Sequence, residues 1–287
     1  TAIVDEVRRS PTLPSERDEQ LQDAQLDAQL DAVLDGTSAK LAGLDVPGAS
    51  DLISTEPAFN AFPAGSRYGT LFHDLLEWQA QHGWPAACTG ASSSESPYAA
   101  EWVALMARQS IRLNLLPEQA AMLDEWVKTI LIKELPLALN NKGSKAIVLG
   151  AIQASDMWPE LGFSLPVQRL GSEQLDALIT RYVWPTHARV ELEPRQLDGM
   201  LTGFMDLILR HEGRYYVLDY KSNHLGPDAA AYAAPALAQA VVAHRYDLQA
   251  ALYLLALHRL LRARLGDAYA PERDLGGALF FFLRGIE

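Results

Sequence analysis

Three ionisable residues, Asp206, Asp219 and Lys221, lie in GFMDLILRHEGRYYVLDYKS (203–222), a segment that is otherwise rich in apolar residues. Side chains in a strand alternate between faces. Phe204, Asp206 and Ile208 therefore share one face of the first strand, with Met205, Leu207 and Leu209 on the other. In YYVLDYKS, Val217, Asp219 and Lys221 share a face, opposite Tyr216, Leu218 and Tyr220. A hairpin turning on Glu212 and Gly213 pairs residue 211 with 214, and that register carries Asp206 directly across from Asp219. Opposed side chains stand roughly 4.5–5.5 Å apart at Cβ, where like charges repel. Burial of unpaired carboxylates adds a further penalty. A hard divalent cation such as Mg²⁺ removes both costs, and Lys221 brings a positive charge into the same space. The alternative is an ordinary strand pair in which one aspartate is protonated or paired with Lys221 or an arginine.

Other elements must position this hairpin. RYGTLFHDLLEWQAQHG reads as a helix ending at Gly83, followed by a polar loop, ASSSESP, at 91–97. YAAEWVALMARQS and PEQAAMLDEWVKTILIKEL are further amphipathic helices, the second opened by Pro117. WPELGFSLPV (158–167) is strand-like, SEQLDALITRYVW a helix, and GFMDLILR and RYYVLDYKS two strands. A long helix from about His244 to Leu265 and an apolar strand, GGALFFFLRG (276–285), close the chain. The expected class is α/β, a central mixed sheet flanked by helices, with an extra N-terminal helical part. Residues 1–65, with the run LQDAQLDAQLDAVLD and then Pro47, Gly48, Pro57 and Pro63, read as a linker with one helix, and 66–287 as the main domain.

Composition narrows the chemistry. The 287 residues carry one cysteine, Cys88, so an internal disulfide, a cysteine zinc cage and an iron-sulfur cluster are all excluded as expectations. No apolar run suits a membrane span and Thr1–Ser10 lacks the features of a signal peptide, which points to the cytoplasm. No GxxxxGK[ST] loop is present, so ATP hydrolysis is not expected. The net charge of -12 argues by default against a nucleic-acid partner, because phosphate backbones are held chiefly by Lys and Arg.

Four segments nevertheless run against that default: GTLFHDLLE (69–77), GFMDLILRHEGRYYVLDYKSNHLG (203–226), HRYDLQAALYLLALHRLLR (244–262) and the closing FFFLRG. In this order they resemble the RecB-type nuclease domains of the PD-(D/E)XK nuclease superfamily, over roughly residues 60–287. The resemblance implies a restriction-endonuclease-like fold and Mg²⁺-dependent phosphodiester hydrolysis on DNA, with Mn²⁺ also admitted. It assigns the metal to His73, Asp206, Asp219 and the backbone carbonyl of Tyr220, and the chemistry to Asp206, Asp219 and Lys221, with Lys221 positioning or deprotonating the attacking water. It also marks Gln249 and Tyr253, a Q-x-x-x-Y pair facing one way from a helix, towards the scissile strand or Lys221. Glu160 matches an accessory acid able to hold water or a second metal.

Each assignment has a structural counterpart. His73 lies in an apolar stretch and could be a core histidine; Glu160 could be a solvent-facing strand residue; Tyr253 could simply be core. Glu77, on the helix face of His73, could orient its second ring nitrogen or act as a surface residue. Arg245, His244 and His224 are candidates for phosphate contact. By the same resemblance the partners are DNA, RecC-like and RecD-like subunits and a RecA recombinase. The alternative function is an interaction module, a nuclease fold that docks helicase partners and RecA.

Overall fold

In the computed structural model, residue 59 and residues 62–84, 98–137 and 145–286 are described, all within one compact unit, Ile53–Glu287. The expected helix at 21–35 and the polar loop at 91–97 lie outside these residues. Helix α1 (Ser66–His82) ends at Gly83, whose φ of 79° takes the chain out of the helix. It is followed by α2 (Ala99–Leu113) and α3 (Pro117–Ile132); Pro117 opens α3, and the Gln119 side chain accepts the Leu116 amide (2.9 Å).

The expected third helix is shorter than its sequence pattern, because Glu134–Leu135 forms strand β1, paired with β2 (Ile147–Val148). A four-stranded mixed sheet follows, in the order β3–β4–β5–β6. Its strands are β3 (Met157–Gly171), β4 (Gln196–His211), β5 (Arg214–Lys221) and β6 (Leu275–Phe282). The first two pairings are antiparallel and β5–β6 is parallel. Helix α4 (Ser172–Tyr182) joins β3 to β4. Between β5 and β6 come α5 (Ala234–Ala243), α6 (Tyr246–Leu265) and the short α7 (Pro271–Asp274). Among the described residues no helix is long and apolar enough to cross a membrane.

The sheet is covered on both faces. Leu71, Phe72, Leu75 and Leu76 of α1, and Leu123, Trp126 and Ile130 of α3, pack with Leu207, Leu209, Tyr216, Leu218 and Tyr220. Each such side chain taken fully out of water contributes about 1.5–3 kcal/mol. Phe59 and Phe62, on the N-terminal side of residue 65, belong to this core: Phe59 stacks on Trp126 at 5.0 Å and Phe62 meets Phe72 edge-on at 5.8 Å. The other face packs Ile208, Val217 and Met205 against Tyr253, Ala256, Leu257 and Leu261 of α6.

Regular pairing of β3 and β4 fails at two places, a bulge between Val167 and Leu170, where Arg169 has φ 49°, and a kink at Glu160 nearer the site. Trp158, Leu161 and Phe163 all pack on the α6 side, as do Met205 and Ile208. Pairing runs Pro159 to Leu207 and Leu161 to Met205 in unchanged register, and the pair between them, Glu160 and Asp206, drops out of the ladder. Glu160 has φ 49°, a left-handed conformation that reverses the face of the residues beyond it. Beyond this kink β3 and β4 continue as a two-stranded arm to Gly171 and Gln196.

Candidate active site

The hairpin turns on Glu212 (φ 48°) and Gly213 (φ 80°), two positive φ values in a row as a two-residue primed turn requires. Its register is the one expected from the turn, with His211 opposite Arg214 and Leu207 opposite Leu218 as the last pair. Asp206 and Asp219 lie one step further, where the ladder stops. There the Tyr220 amide donates to Asp206 Oδ2 (2.8 Å).

Helix α1 supplies the third side chain. Gly69 brings it close to the chain after β5: a Cβ at residue 69 would meet Ser222 Oγ at 2.8 Å. One turn later His73 Nε2 lies 3.1 Å from the Tyr220 carbonyl and Nδ1 3.4 Å from Asp206 Oδ1. The backbone of Tyr220 thus meets Asp206 through its amide and His73 through its carbonyl oxygen, on the two peptide units that flank its Cα. Burial works against a charged His73, but the Asp206 carboxylate more than offsets it, and its pKa is raised to about 9. Burial would likewise raise Asp206, yet His73 and the Tyr220 amide hold it below the usual carboxylate range.

On the other side of the site, Asp219 Oδ2 and Lys221 Nζ form an ion pair at 2.7 Å. Lys221 Nζ also donates to Gln249 Oε1 (3.0 Å), Gln249 Nε2 to Tyr253 Oη (2.8 Å), and Tyr253 Oη to Asp219 Oδ1 (3.3 Å). These four side chains close a ring. Gln249 and Tyr253 thereby hold the lysine and the acid, the Lys221 direction of the two expected for this pair, and Tyr253 is also core, edge-on to Phe163. Burial pushes Asp219 up to about 6, against the Lys221 charge and with that of Asp206. Burial alone would lower Lys221, but Asp219 and Tyr246 keep it above its ordinary value.

Glu160, opposite Asp206, is half-buried on the His73 side. Burial, with Glu77 and Asp206 nearby, raises it to about 7. Glu77 does not orient His73: both ring nitrogens are engaged elsewhere, and Glu77 accepts from Gln81 on the next turn. Arg245 is not presented to solvent for phosphate. It donates to Asp176 (2.7 Å), Asp247 (3.2 Å) and the Val190 carbonyl (2.8 Å). His244 stacks on Tyr246 at 5.2 Å, and His224 is exposed.

Sequence reasoning missed Tyr246, whose ring lies 3.9 Å from Lys221 Nζ. Its spacing to Gln249 and Tyr253, three and then four residues along one helix face, carried the signal. It also missed Arg284, buried against Trp126, which donates to the carbonyls of Ser222 (3.0 Å), Phe62 (2.9 Å) and Pro63 (2.7 Å). This arginine ties the residue after Lys221 to the entry of the helix bearing His73.

Among the described residues no three His, Cys, Asp or Glu side chains form a closed metal cage, because Asp219 turns to Lys221 and Tyr253. The donors nevertheless suit a hard cation. Asp219 Oδ2 is buried with no aligned hydrogen bond, and His73, Asp206 and the Tyr220 carbonyl already converge.

A mixed sheet with a forked hairpin bearing two acids and a lysine, faced by a helix histidine, defines a nuclease class. The family model of the PD-(D/E)XK nuclease superfamily matches residues 50–285, and the chain belongs to that superfamily. Within it the chain is related to RecB. It is 38% identical over 248 residues to the RecBCD enzyme subunit RecB of Escherichia coli, an alignment covering 85% of this chain and 19% of that protein. The corresponding subunit of Mycobacterium tuberculosis is 31% identical over 267 residues, 86% of this chain and 23% of that protein. That of Haemophilus influenzae is 34% identical over 182 residues, 62% and 14% respectively. The chain thus spans less than a quarter of the length of these relatives.

Proposed function

We propose that this chain is the metal-dependent DNA nuclease domain of a cytoplasmic RecB-type helicase-nuclease, hydrolysing phosphodiester bonds, preferentially in single-stranded DNA, during double-strand break repair and recombination. The observation that carries this proposal is the meeting of His73, Asp206 and the Tyr220 carbonyl, within 3.4 Å, beside the buried Asp219–Lys221 pair. His73, Asp206, Asp219 and the Tyr220 carbonyl would hold Mg²⁺, or Mn²⁺ given the imidazole. Bound there, the ion would acidify a water and neutralise charge on the phosphate.

The residues of the chain do the rest. Lys221, held charged beside Asp219, would position the attacking water and stabilise the developing negative charge. Gln249 and Tyr253 fix the orientations of Lys221 and Asp219. Glu160, raised to about 7, is the acid on this face suited to exchange a proton near neutrality. The relatives are subunits of a RecBCD enzyme, which supports RecC-like and RecD-like partners. A RecA recombinase partner rests on family resemblance alone.

Calorimetric titration of Mg²⁺ and Mn²⁺ into the chain, paired with cleavage of a single-stranded oligonucleotide, tests this function. Saturable binding lost in Asp206→Ala, with cleavage lost in parallel, is expected. Cleavage in excess chelator would overturn it.

A further inference from the structure

The connection from α4 to β4 carries a feature that hydrolysis does not use. Tyr182 and Trp184 are exposed there, at 69% and 44%, and His187 lies against Trp184 with ring centroids 5.4 Å apart. Arg181 sits over the Tyr182 ring at 5.2 Å. The segment is nevertheless built rigidly. Trp184 is held at φ 50°, a conformation that bulky L-residues rarely adopt. Arg189, its side chain only 4% exposed, donates to the carbonyls of Val183 (2.9 Å), Trp184 (2.6 Å) and His187 (3.4 Å), and pairs with the fully buried Asp247. Asp247 lies in the first turn of α6, two residues before Gln249, which receives the Lys221 ammonium. A buried ion pair thus fixes the loop bearing the exposed rings to the helix that holds the catalytic lysine.

We infer that Trp184, with Tyr182 beside it, is a stacking platform for unpaired bases of a single nucleic-acid strand whose phosphate lies at Lys221. The inference rests on the nuclease function proposed above and names how the strand is gripped. Charge favours a base-reading grip. With 24 Lys and Arg against 36 Asp and Glu, the chain has few cations to spend on phosphates. Ring faces bind every base without them, and they take only bases that are not already stacked in a duplex.

The test measures fluorescence anisotropy of a labelled oligothymidylate in chelator, where nothing is cut, and KM for its cleavage with Mg²⁺. Trp184→Ala should weaken binding and raise KM about tenfold, the loss of one stacked base. Trp184→Phe, which keeps a ring, should restore most of it. On an abasic strand of the same length, Trp184→Ala and the parent chain should bind equally. Equal oligothymidylate binding by Trp184→Ala and the parent chain, or equal loss on the abasic strand, would overturn the platform. A parent chain that cuts nothing yet binds oligothymidylate in a Trp184-dependent way would support the platform and sink the nuclease function.

Discussion

Tyr220 donates its amide to the Asp206 carboxylate at 2.8 Å, at the point where the β4–β5 ladder ends. The same residue turns its carbonyl oxygen to His73. The backbone of one residue therefore organises two of the proposed ligands, and Asp206 has a structural task as well as a chemical one. Asp206→Ala should leave a buried amide unpaired and cost about 1–3 kcal/mol of metal-free stability, read by urea unfolding. An unchanged unfolding midpoint would mean the amide finds another acceptor.

Asp219 behaves differently. Its removal strips the buried Lys221 of its counter-charge, and breaking such a pair costs about 3–5 kcal/mol. Asp219→Ala should therefore unfold at lower urea than Lys128→Ala, whose exposed pair with Asp124 contributes at most about 1 kcal/mol. Lys221→Met combined with Asp219→Ala should recover much of the loss. A double variant no more stable than Asp219→Ala would show that the pair is not what the acid supports.

The Tyr246 ring positions the lysine. A cation over an aromatic face gains about 0.5–2 kcal/mol, so Tyr246→Leu should lower kcat several-fold while Tyr246→Phe stays near the parent value. Similar losses in both variants would assign the effect to the Tyr246 hydroxyl, which donates to Asn223 Oδ1 at 3.1 Å.

His73 binds its proton more tightly in the folded chain than unfolded, with a pKa raised from 6.5 to about 9. Its contribution to metal-free stability is complete below about pH 6.5 and is lost as pH rises through 9. The melting temperature in chelator should fall across that window, and His73→Gln should flatten the fall. Metal binding, which needs the neutral ring, should tighten over the same range. A melting temperature that rises from pH 6.5 to 9 would contradict the assignment.

Much of the hairpin was legible because a two-residue turn fixes register and each strand is short. The pairing of Leu207 with Leu218 follows directly from Glu212 and Gly213. The kink at Glu160 was not legible: a left-handed glutamate carries no composition signal, and it reverses the faces that alternation assigns to Leu161 and Met205. Nor were the buried ion pairs Arg189–Asp247 and Arg245–Asp176, whose members are far apart in sequence and are joined only when α4 and the loop after it pack on the start of α6. Helix α5 went unassigned because its alanine-rich run has little contrast between faces. The assignments of His73, Gln249 and Tyr253 came from resemblance, since their residue types alone fit core roles equally well.

The most direct measurement is cleavage of a single-stranded oligonucleotide by the purified chain and its Asp219→Asn and Lys221→Gln variants, with Mg²⁺ and with chelator. The proposed function predicts cutting by the parent chain in Mg²⁺ only, and its loss in both variants while their circular dichroism stays that of the folded parent. Cleavage by a folded Asp219→Asn chain at the parental rate would contradict it.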